Sequence, residues 1–264
     1  MSGGAKMDVR QLFDLTGQVA IVTGGSMGLG VQFSQALAEL GANLVLCSRK
    51  VNRCEQQAEE LRQQFGVKVL ALRCDVTNLP EVQYLADKTV EEFGRIDILV
   101  NNAGISWGCP TEELSLEHWN KVLAVNVTGM FLCSQAVGRV MIRQNKGKII
   151  NIASVAGLQG APPHTMDAIA YNTSKGAVIS FTRDLACKWA PQNILVNAIA
   201  PGWFPTHLSE WILEHRKDLL LPQIPLARFG GEDDLKGALA FLASAASNYV
   251  TGQVLVVDGG STVW

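Results

Sequence analysis

A glycine-rich turn between an apolar run and a helical pattern constrains this chain most strongly. The run Val19–Thr23 has the length and β-branched content of a buried strand, and Gly24-Gly25-Ser26-Met27-Gly28-Leu29-Gly30 follows it. Apolar residues then recur at helical spacing until Gly41. Glycines at such a turn let the backbone approach a pyrophosphate, toward which the helix N-terminus directs free N–H groups. The order strand, glycine turn, helix therefore predicts a dinucleotide-binding unit.

Strand-like runs alternate with helical stretches along the rest of the chain. After Val19–Thr23 the runs are Asn43–Cys47, Lys68–Arg73, Ile96–Val100, Lys148–Ile152, Leu195–Ile199 and Val254–Val257. Such alternation is typical of a parallel sheet, and the right-handed crossover rule favours a doubly wound topology. We predict an α/β protein with a single Rossmann-type, doubly wound, parallel seven-stranded sheet and helices on both faces. Ligands should bind at the carboxyl ends of the strands.

Length and composition fit one domain. The chain has 264 residues, of which 48% are hydrophobic, enough for a single large core. We assign residues 15–264 to that domain and residues 1–14 to a flexible N-terminal extension. The net charge of −2 and the lack of a basic block argue against nucleic acid or an anionic membrane as partner. Short apolar runs without a signal-type N-terminus lead us to expect a cytoplasmic protein.

Cysteines and histidines show no spacing typical of a metal or redox site. The six cysteines include no CxxC pair, so free buried thiols are expected rather than structural disulfides. The four histidines are likewise scattered, and we expect no metal.

Tyr171 and Lys175 are four residues apart, a spacing that places both side chains on one face of a helix. A cation beside a phenol favours the phenolate and brings the pKa of the tyrosine toward neutrality. The pair can then transfer a proton. The alternative is an exposed helix face carrying an amphipathic tyrosine and a solvated lysine.

Several further motifs occur in a fixed order along the chain. They are the Thr23–Gly30 turn, Asp75 after the third strand, Asn101-Asn102-Ala103-Gly104 after the fourth, Asn126, Ser154, Tyr171 with Lys175, Pro201-Gly202 and the C-terminal segment Gly252–Gly260. In this order, and over nearly the whole chain, they resemble the motifs of the short-chain dehydrogenase/reductase family. The resemblance implies an NAD(P)-dependent oxidoreductase that acts on CH–OH groups.

The resemblance also implies a catalytic set of four residues, Asn126, Ser154, Tyr171 and Lys175. Hydride arriving at a carbonyl carbon creates an alkoxide-like oxygen, which Ser154 would hydrogen-bond and Tyr171 would protonate. Lys175 would hold the ribose hydroxyls and lower the pKa of Tyr171, and Asn126 would order a water that relays the replacement proton.

The cofactor residues implied by the resemblance extend over the glycine turn and several strand ends. They are Gly24, Ser26, Met27, Gly28, Leu29, Gly30, Ser48, Arg49, Asp75, Val76, Asn102, Ala103, Gly104, Tyr171, Lys175, Pro201 and Gly202. Leu44–Lys50 contains no acid to accept the ribose hydroxyls of NAD, whereas Arg49 and Ser48 suit a 2′-phosphate. We therefore expect a preference for NADP(H). NAD(H) stays possible because NADP-preferring relatives often have a basic residue where this chain has Met27.

The substrate is expected to meet an apolar wall. Candidate lining residues are Trp107, Met166, Trp203, Phe204, Leu208 and Trp211. The proline-flanked stretch 203–221 is predicted to be a substrate lid. An insertion between Ser154 and Tyr171, including residues 162–167, should border the mouth of the site and carry Met166 or Ile169 toward the substrate. A surface bulge is the alternative for that insertion.

Three functions are compatible with these features. The stretches Asn101–Gly108 and Ala200–Leu208 resemble 3-oxoacyl reductases, including rhamnolipid-type enzymes, which implies reduction of a 3-oxoacyl thioester or another apolar ketone. A gluconate 5-dehydrogenase-like enzyme acting on sugar acids or polyols is a close alternative. A non-catalytic NADPH-binding sensor or scaffold is an alternative of another class. Relatives are usually homotetramers, so a homotetramer, or a dimer, is expected.

Overall fold

The seven strands form one parallel sheet with the order β3-β2-β1-β4-β5-β6-β7. The computed structural model describes residues 7–162 and 165–263. The strands are β1 Val19–Thr23, β2 Asn43–Ser48, β3 Val69–Arg73, β4 Ile98–Asn101, β5 Gly147–Ile152, β6 Ile194–Pro201 and β7 Val254–Val257. The doubly wound, seven-stranded prediction is confirmed, and every predicted run contains a strand whose ends differ by at most two residues from the prediction.

Helices cover both faces of this sheet. They are α1 Val9–Leu12, α2 Leu29–Glu39, α3 Val51–Phe65, α4 Leu79–Phe93, α5 Leu116–Leu123, α6 Met130–Gln144, α7 Ile169–Trp189, α8 Glu210–His215, α9 Lys217–Leu220 and α10 Lys236–Ala243. Helix α1 lies in the segment that the sequence assigned to a flexible extension. Asp8 caps it by accepting hydrogen bonds from the amides of Arg10 and Gln11, which explains the local order. Residues 1–6 of that segment lie outside the described residues.

Two large apolar clusters form the core, one on each face of the sheet. The first packs α2, α3 and α10 against strand residues such as Val22 and Leu44. The second packs α4 and α6 against residues such as Ile21 and Leu99. Neighbouring strand residues face opposite sides, so strands buried on both faces read as continuous apolar runs.

The helical stretch Leu116–Gln144 is long and apolar enough to cross a membrane by length and composition alone. Of its most apolar window, 56% is buried inside the fold. Cys133, Val137 and Met141 on this stretch pack in the second apolar cluster. Core helices pass the same test, and burial against the sheet accounts for the apolar composition.

The strand order reverses between β1 and β4, where hydrogen bonds join the two strand ends. The Thr23 hydroxyl accepts from the amides of Asn102 and Ala103, at 3.0 Å each. The Asn102 side-chain amide donates to the carbonyls of Thr23 and Gly24, at 3.0 and 3.1 Å. These bonds hold the crevice in which ligands bind to doubly wound sheets.

Close packing of α6 on the end of α7 yields a stability prediction. A Cβ on Gly138 would lie 2.2 Å from the Trp189 ring, so Gly138→Ala should lower the free energy of unfolding by about 1–3 kcal/mol. Gly237→Ala in α10 is the matched control, since its Cβ meets no atom within 4 Å. That control should be neutral or stabilising by up to about 1 kcal/mol. Urea unfolding measures both, and equal stability of the two variants would contradict this packing.

Candidate active site

A cavity of about 940 Å³ opens at the carboxyl ends of the strands. Its wall includes the glycine turn after β1, the end of β2 and the loops after β3, β4, β5 and β6. The first turns of α7 and the segment 201–224 complete it. One continuous space thus joins the predicted cofactor residues to Ser154, Tyr171 and Lys175.

The glycine turn is built for close backbone approach. A Cβ on Gly30 would lie 2.1 Å from the Gly24 carbonyl oxygen, and Gly28 has a φ of 53°, so both positions favour glycine. The segment predicted to be a lid packs near this turn, because a Cβ on Gly28 would lie 3.4 Å from the Thr206 side chain and 3.7 Å from His207 Nδ1. The turn and the N-terminus of α2 thus form a cradle suited to a pyrophosphate.

Two arginines follow β2, Arg49 directly after the strand and Arg53 in the first turn of α3. The Cys54 thiol contacts the hydroxyls of Ser26 and Ser48, at 3.3 and 3.2 Å, and so links the glycine turn to β2. Arg53 contacts the Met27 sulfur, so its guanidinium reaches the glycine turn. Arg49 lies toward β3, where its charge acts on Asp75.

Asp75 has a lowered pKa. Its burial raises the pKa, but hydrogen bonds from Thr77 and the charge of Arg49 outweigh that effect. Asp75 and Val76 line the cavity beside Arg49, as the resemblance implies for residues that contact adenine.

Ser154, Tyr171 and Lys175 come together where β5 ends and α7 begins. Ser154 is 8% exposed and caps a short 3-10 turn by accepting from the Ala156 amide at 3.1 Å. Lys175 is 5% exposed, and its ammonium donates to the Ile152 carbonyl at 2.7 Å. The lysine Nζ is 5.4 Å from the centroid of the Tyr171 ring. The predicted pairing on one helix face is therefore confirmed.

The prediction that Lys175 lowers the pKa of Tyr171 is wrong. Burial raises the pKa of Tyr171, and the interaction with Ser154 only partly opposes it. Burial also lowers the pKa of Lys175 to about 8, because the ammonium loses hydration. The lysine charge is directed at the Ile152 carbonyl rather than at the phenol oxygen, so Tyr171 stays a protonated acid.

Asn126 lies behind the cavity wall, in a π-helical turn at Ala124–Gly129. Its side chain accepts from the Ile105 amide and donates to the Ile105 carbonyl, both at 2.9 Å. It also donates to the Ser174 hydroxyl at 2.9 Å. These bonds tie the loop after β4 to α7. A role in ordering a water stays a prediction.

Most predicted substrate residues line the cavity. Met166, Trp203, Phe204, Leu208 and Trp211 do so. Trp107 does not, because it stacks on the His118 ring with centroids 3.6 Å apart.

The insertion borders the cavity mouth, as predicted, through residues 159–162 and 165–168. Ile169, the first residue of α7, is 39% exposed and does not line the cavity. Pro163 and His164 of the insertion lie outside the described residues.

Sequence reasoning missed several polar residues of the wall. Arg53, Gln159, Asn172, His207 and Arg216 all line the cavity. Burial lowers the pKa of His207, and the charge of Arg53 adds to that effect. No spacing in the sequence indicated these residues, because each reaches the cavity from a different loop or helix.

The wall fits a nicotinamide dinucleotide. The close-packed glycine turn suits the pyrophosphate, Asp75 and Val76 suit the adenine end, and Lys175 and Tyr171 lie at the other end of the same space. Such a cofactor, when bound, accepts or supplies a hydride. Among the described residues, no group of three or more His, Cys, Asp or Glu side chains could hold a metal.

Comparison with known proteins agrees with this geometry. A family model described as enoyl-(acyl carrier protein) reductase matches residues 24–262. A short-chain type dehydrogenase/reductase from Mycobacterium marinum superposes with a TM-score of 0.93 and 39% identity, over 97% of this chain and 100% of that one. The chain belongs to the short-chain dehydrogenase/reductase family. Members of this family are NAD(P)-dependent oxidoreductases, and the resemblance drawn from the motifs is confirmed.

Two further relatives of this dehydrogenase/reductase have different substrates. The 3-oxoacyl-[acyl-carrier-protein] reductase of Synechocystis sp. is 38% identical over 251 residues, which are 95% of this chain and 99% of that protein. A gluconate 5-dehydrogenase from Burkholderia cenocepacia, solved with NADP and tartrate, has a TM-score of 0.92 and 37% identity. That comparison covers 97% of this chain and 100% of the other. Both substrate classes expected from the sequence are thus represented.

Removing the Tyr171 hydroxyl should separate binding from chemistry. Tyr171→Phe should retain NADPH affinity and lower kcat about 10²- to 10⁴-fold, since the acid that protonates the carbonyl oxygen is lost. NADPH fluorescence titration and steady-state rates on any ketone that the wild type turns over measure the two effects. Tyr84→Phe, which alters an exposed tyrosine on α4, is the control and should leave both unchanged. A near-normal rate for Tyr171→Phe would refute the assignment.

Burial of Lys175 should appear in the pH dependence of stability. With a folded pKa of about 8 and an unfolded value near 10.5, the unfolded chain binds more protons between these pH values. Wild-type stability relative to Lys175→Met should therefore rise by about 1.4 kcal/mol per pH unit from pH 8 upward. Urea unfolding of both proteins between pH 7 and 10 measures the difference. A constant difference would mean that Lys175 keeps an ordinary pKa.

Proposed function

We propose that this protein is an NADP(H)-dependent oxidoreductase that interconverts a ketone and a secondary alcohol. The observation that carries the proposal is the meeting of Ser154, Tyr171 and Lys175 in the wall of the cavity that also contains the glycine turn. Ser154 would hydrogen-bond the substrate oxygen, and the protonated Tyr171 would donate its proton to that oxygen as hydride reaches the carbon. In the oxidative direction the same proton returns to the phenolate.

The preference for NADP(H) rests on the charges at the end of β2. Arg49 and Arg53 line the same cavity as Ser26 and Ser48, and among the described residues neither arginine has a salt bridge. Guanidinium groups with neighbouring hydroxyls suit a phosphate monoester. Arg53 also reaches Met27, so it would supply a cation at the glycine turn, where the sequence has none.

Two substitutions that each remove one arginine charge test this cofactor assignment. Arg49→Gln and Arg53→Gln should each lower kcat/KM for NADPH about 10- to 100-fold and leave kcat/KM for NADH nearly unchanged. Arg62→Gln is the control. Arg62 lies on α3, as Arg53 does, but it is paired with Glu59 and does not line the cavity. Equal losses with both cofactors would show a general structural defect, and no loss with either would refute the phosphate site.

For the substrate we propose first a 3-oxoacyl thioester or another apolar ketone. Met166, Trp203, Leu208, Trp211 and Ile212 provide apolar surface in the cavity wall. A gluconate 5-dehydrogenase-like activity on sugar acids or polyols is the second candidate. It is favoured by the polar side chains of Gln159 and Asn172, which line the cavity and would hydrogen-bond substrate hydroxyls.

Oxidation of NADPH with a panel of ketones tests the proposed reaction. The panel contains a short 3-oxoacyl thioester and 5-keto-D-gluconate, with NADH run in parallel. Turnover of either substrate supports the reaction and identifies the branch. NADPH binding without turnover of any ketone would instead favour the non-catalytic sensor or scaffold.

We also propose a cytoplasmic homotetramer. Phe131 and Ile142 on α6 expose large apolar side chains, as does Tyr249 before β7. Helix pairing through α6 and α7 would cover the first two. Sedimentation velocity measures the assembly, and a monomer at micromolar concentration would contradict it.

A further inference from the structure

Arg216 lies at a break between α8 and α9, where the backbone is held on both sides. Its amide donates to the Ile212 carbonyl at 2.8 Å, and its own carbonyl accepts from the amides of Leu219 and Leu220 at 3.0 Å each. Its φ of −125° departs from helical geometry. Leu213 and Leu220, on either side, are buried at 7% and 1% exposure and anchor the two short helices. The backbone of Arg216 is therefore fixed, although it belongs to the lid.

Arg216 is half-buried and lines the cavity, and its guanidinium has no hydrogen-bond or salt-bridge partner in the described part of the chain, residues 7–162 and 165–263. In contrast, Arg95 and Arg228 form bonds to Asp97 and Asp234. An oxyanion in the cavity would supply hydrogen-bond acceptors to this guanidinium.

Charge is distributed unevenly along the cavity wall. Arg49, Lys50 and Arg53 lie at the β2 end, where the cofactor phosphate is expected, and Lys175 lies in the catalytic group. Arg216 lines the substrate part of the cavity, as do the apolar residues Trp211, Ile212 and Ile224. Among the described residues that line the substrate part, the acidic side chain is that of Asp167, which is exposed at the cavity mouth.

We propose that Arg216 binds a carboxylate of the substrate, so that the preferred substrates are keto acids and the corresponding hydroxy acids. The proposal rests on the proposed ketone and alcohol chemistry, and among its substrate candidates the charge of Arg216 favours the second, the sugar acids, over the 3-oxoacyl thioester. A planar guanidinium takes a carboxylate through two parallel hydrogen bonds, and the apolar side chains around it strengthen that pairing. The pairing would also hold the lid over the carbonyl group that faces Tyr171.

Matched acids and esters test this proposal directly. The substrates are 5-keto-D-gluconate and 5-oxohexanoate, with methyl 5-oxohexanoate as the neutral counterpart and NADPH as reductant. The wild type should prefer 5-oxohexanoate to its ester. Arg216→Gln should lower kcat/KM for both acids about 10- to 100-fold, mainly through KM, and leave the ester unchanged. Arg216→Lys should recover part of the loss.

Lys217→Gln is the control. It also removes one positive charge, but Lys217 is the next residue along the chain and does not line the cavity. It should leave all three substrates unchanged. Competitive inhibition by tartrate, weakened in Arg216→Gln, gives a readout that does not need turnover of the inhibitor. Equal effects of Arg216→Gln on acid and ester, or none on either, would overturn the role of Arg216. No turnover of any ketone, with tartrate binding still dependent on Arg216, would instead overturn the proposed reaction.

A further comparison asks whether Arg216 binds a carboxylate or a phosphate. It uses a 3-oxoacyl coenzyme A thioester, which carries phosphates, and the matching N-acetylcysteamine thioester, which carries none. If Arg216→Gln lowered kcat/KM for the coenzyme A thioester alone, the bound anion would be a phosphate of the thioester carrier, and the keto acid proposal would be wrong.

Discussion

Both the fold and the site depend on the hydrogen bond that the buried ammonium of Lys175 donates to the Ile152 carbonyl. Lys175 is carried by α7, and its hydrogen bond fixes that helix to the end of β5, where Ser154 follows. Burial alone would favour the neutral amine, and the lowered pKa reflects this cost. Because Tyr171 lies one turn before Lys175, the same bond positions the phenol in the cavity wall. An apolar residue at position 175 would avoid the cost of burying a charge, but it would also remove the ammonium whose hydrogen bond positions Tyr171.

The sheet could be predicted from the sequence because each buried parallel strand is a short apolar run between turns. Val19–Thr23 and Val254–Val257 have the predicted ends, whereas the fourth strand begins at Ile98, two residues after the predicted start. The glycine turn and the Tyr171–Lys175 pair were also accessible, since both depend on local spacing. The strands, the glycine turn and the Tyr171–Lys175 pair are each determined by residues close together in the sequence, so local patterns were enough to predict them.

Other features depend on contacts between distant segments and could not be predicted. Arg53 meets Met27 only because α3 packs beside the glycine turn, and Trp107 leaves the cavity because the His118 ring covers it. The raised pKa of Tyr171 follows from burial by several segments, and spacing to Lys175 gave the opposite direction. Arg216 reaches the cavity through a helix break that has no signature in the sequence. Charges in this site are therefore set by tertiary packing.

Transfer of a labelled hydride tests the central assignment most directly. NADPH dideuterated at C4 of the nicotinamide is incubated with each ketone of the panel, and the product is examined by mass spectrometry and NMR. Our account predicts one deuterium on the carbinol carbon for each NADPH oxidised, and almost none when Tyr171 is phenylalanine. Tight NADPH binding with no labelled alcohol from any keto acid, thioester or simple ketone would contradict it and assign the cavity to nucleotide binding alone.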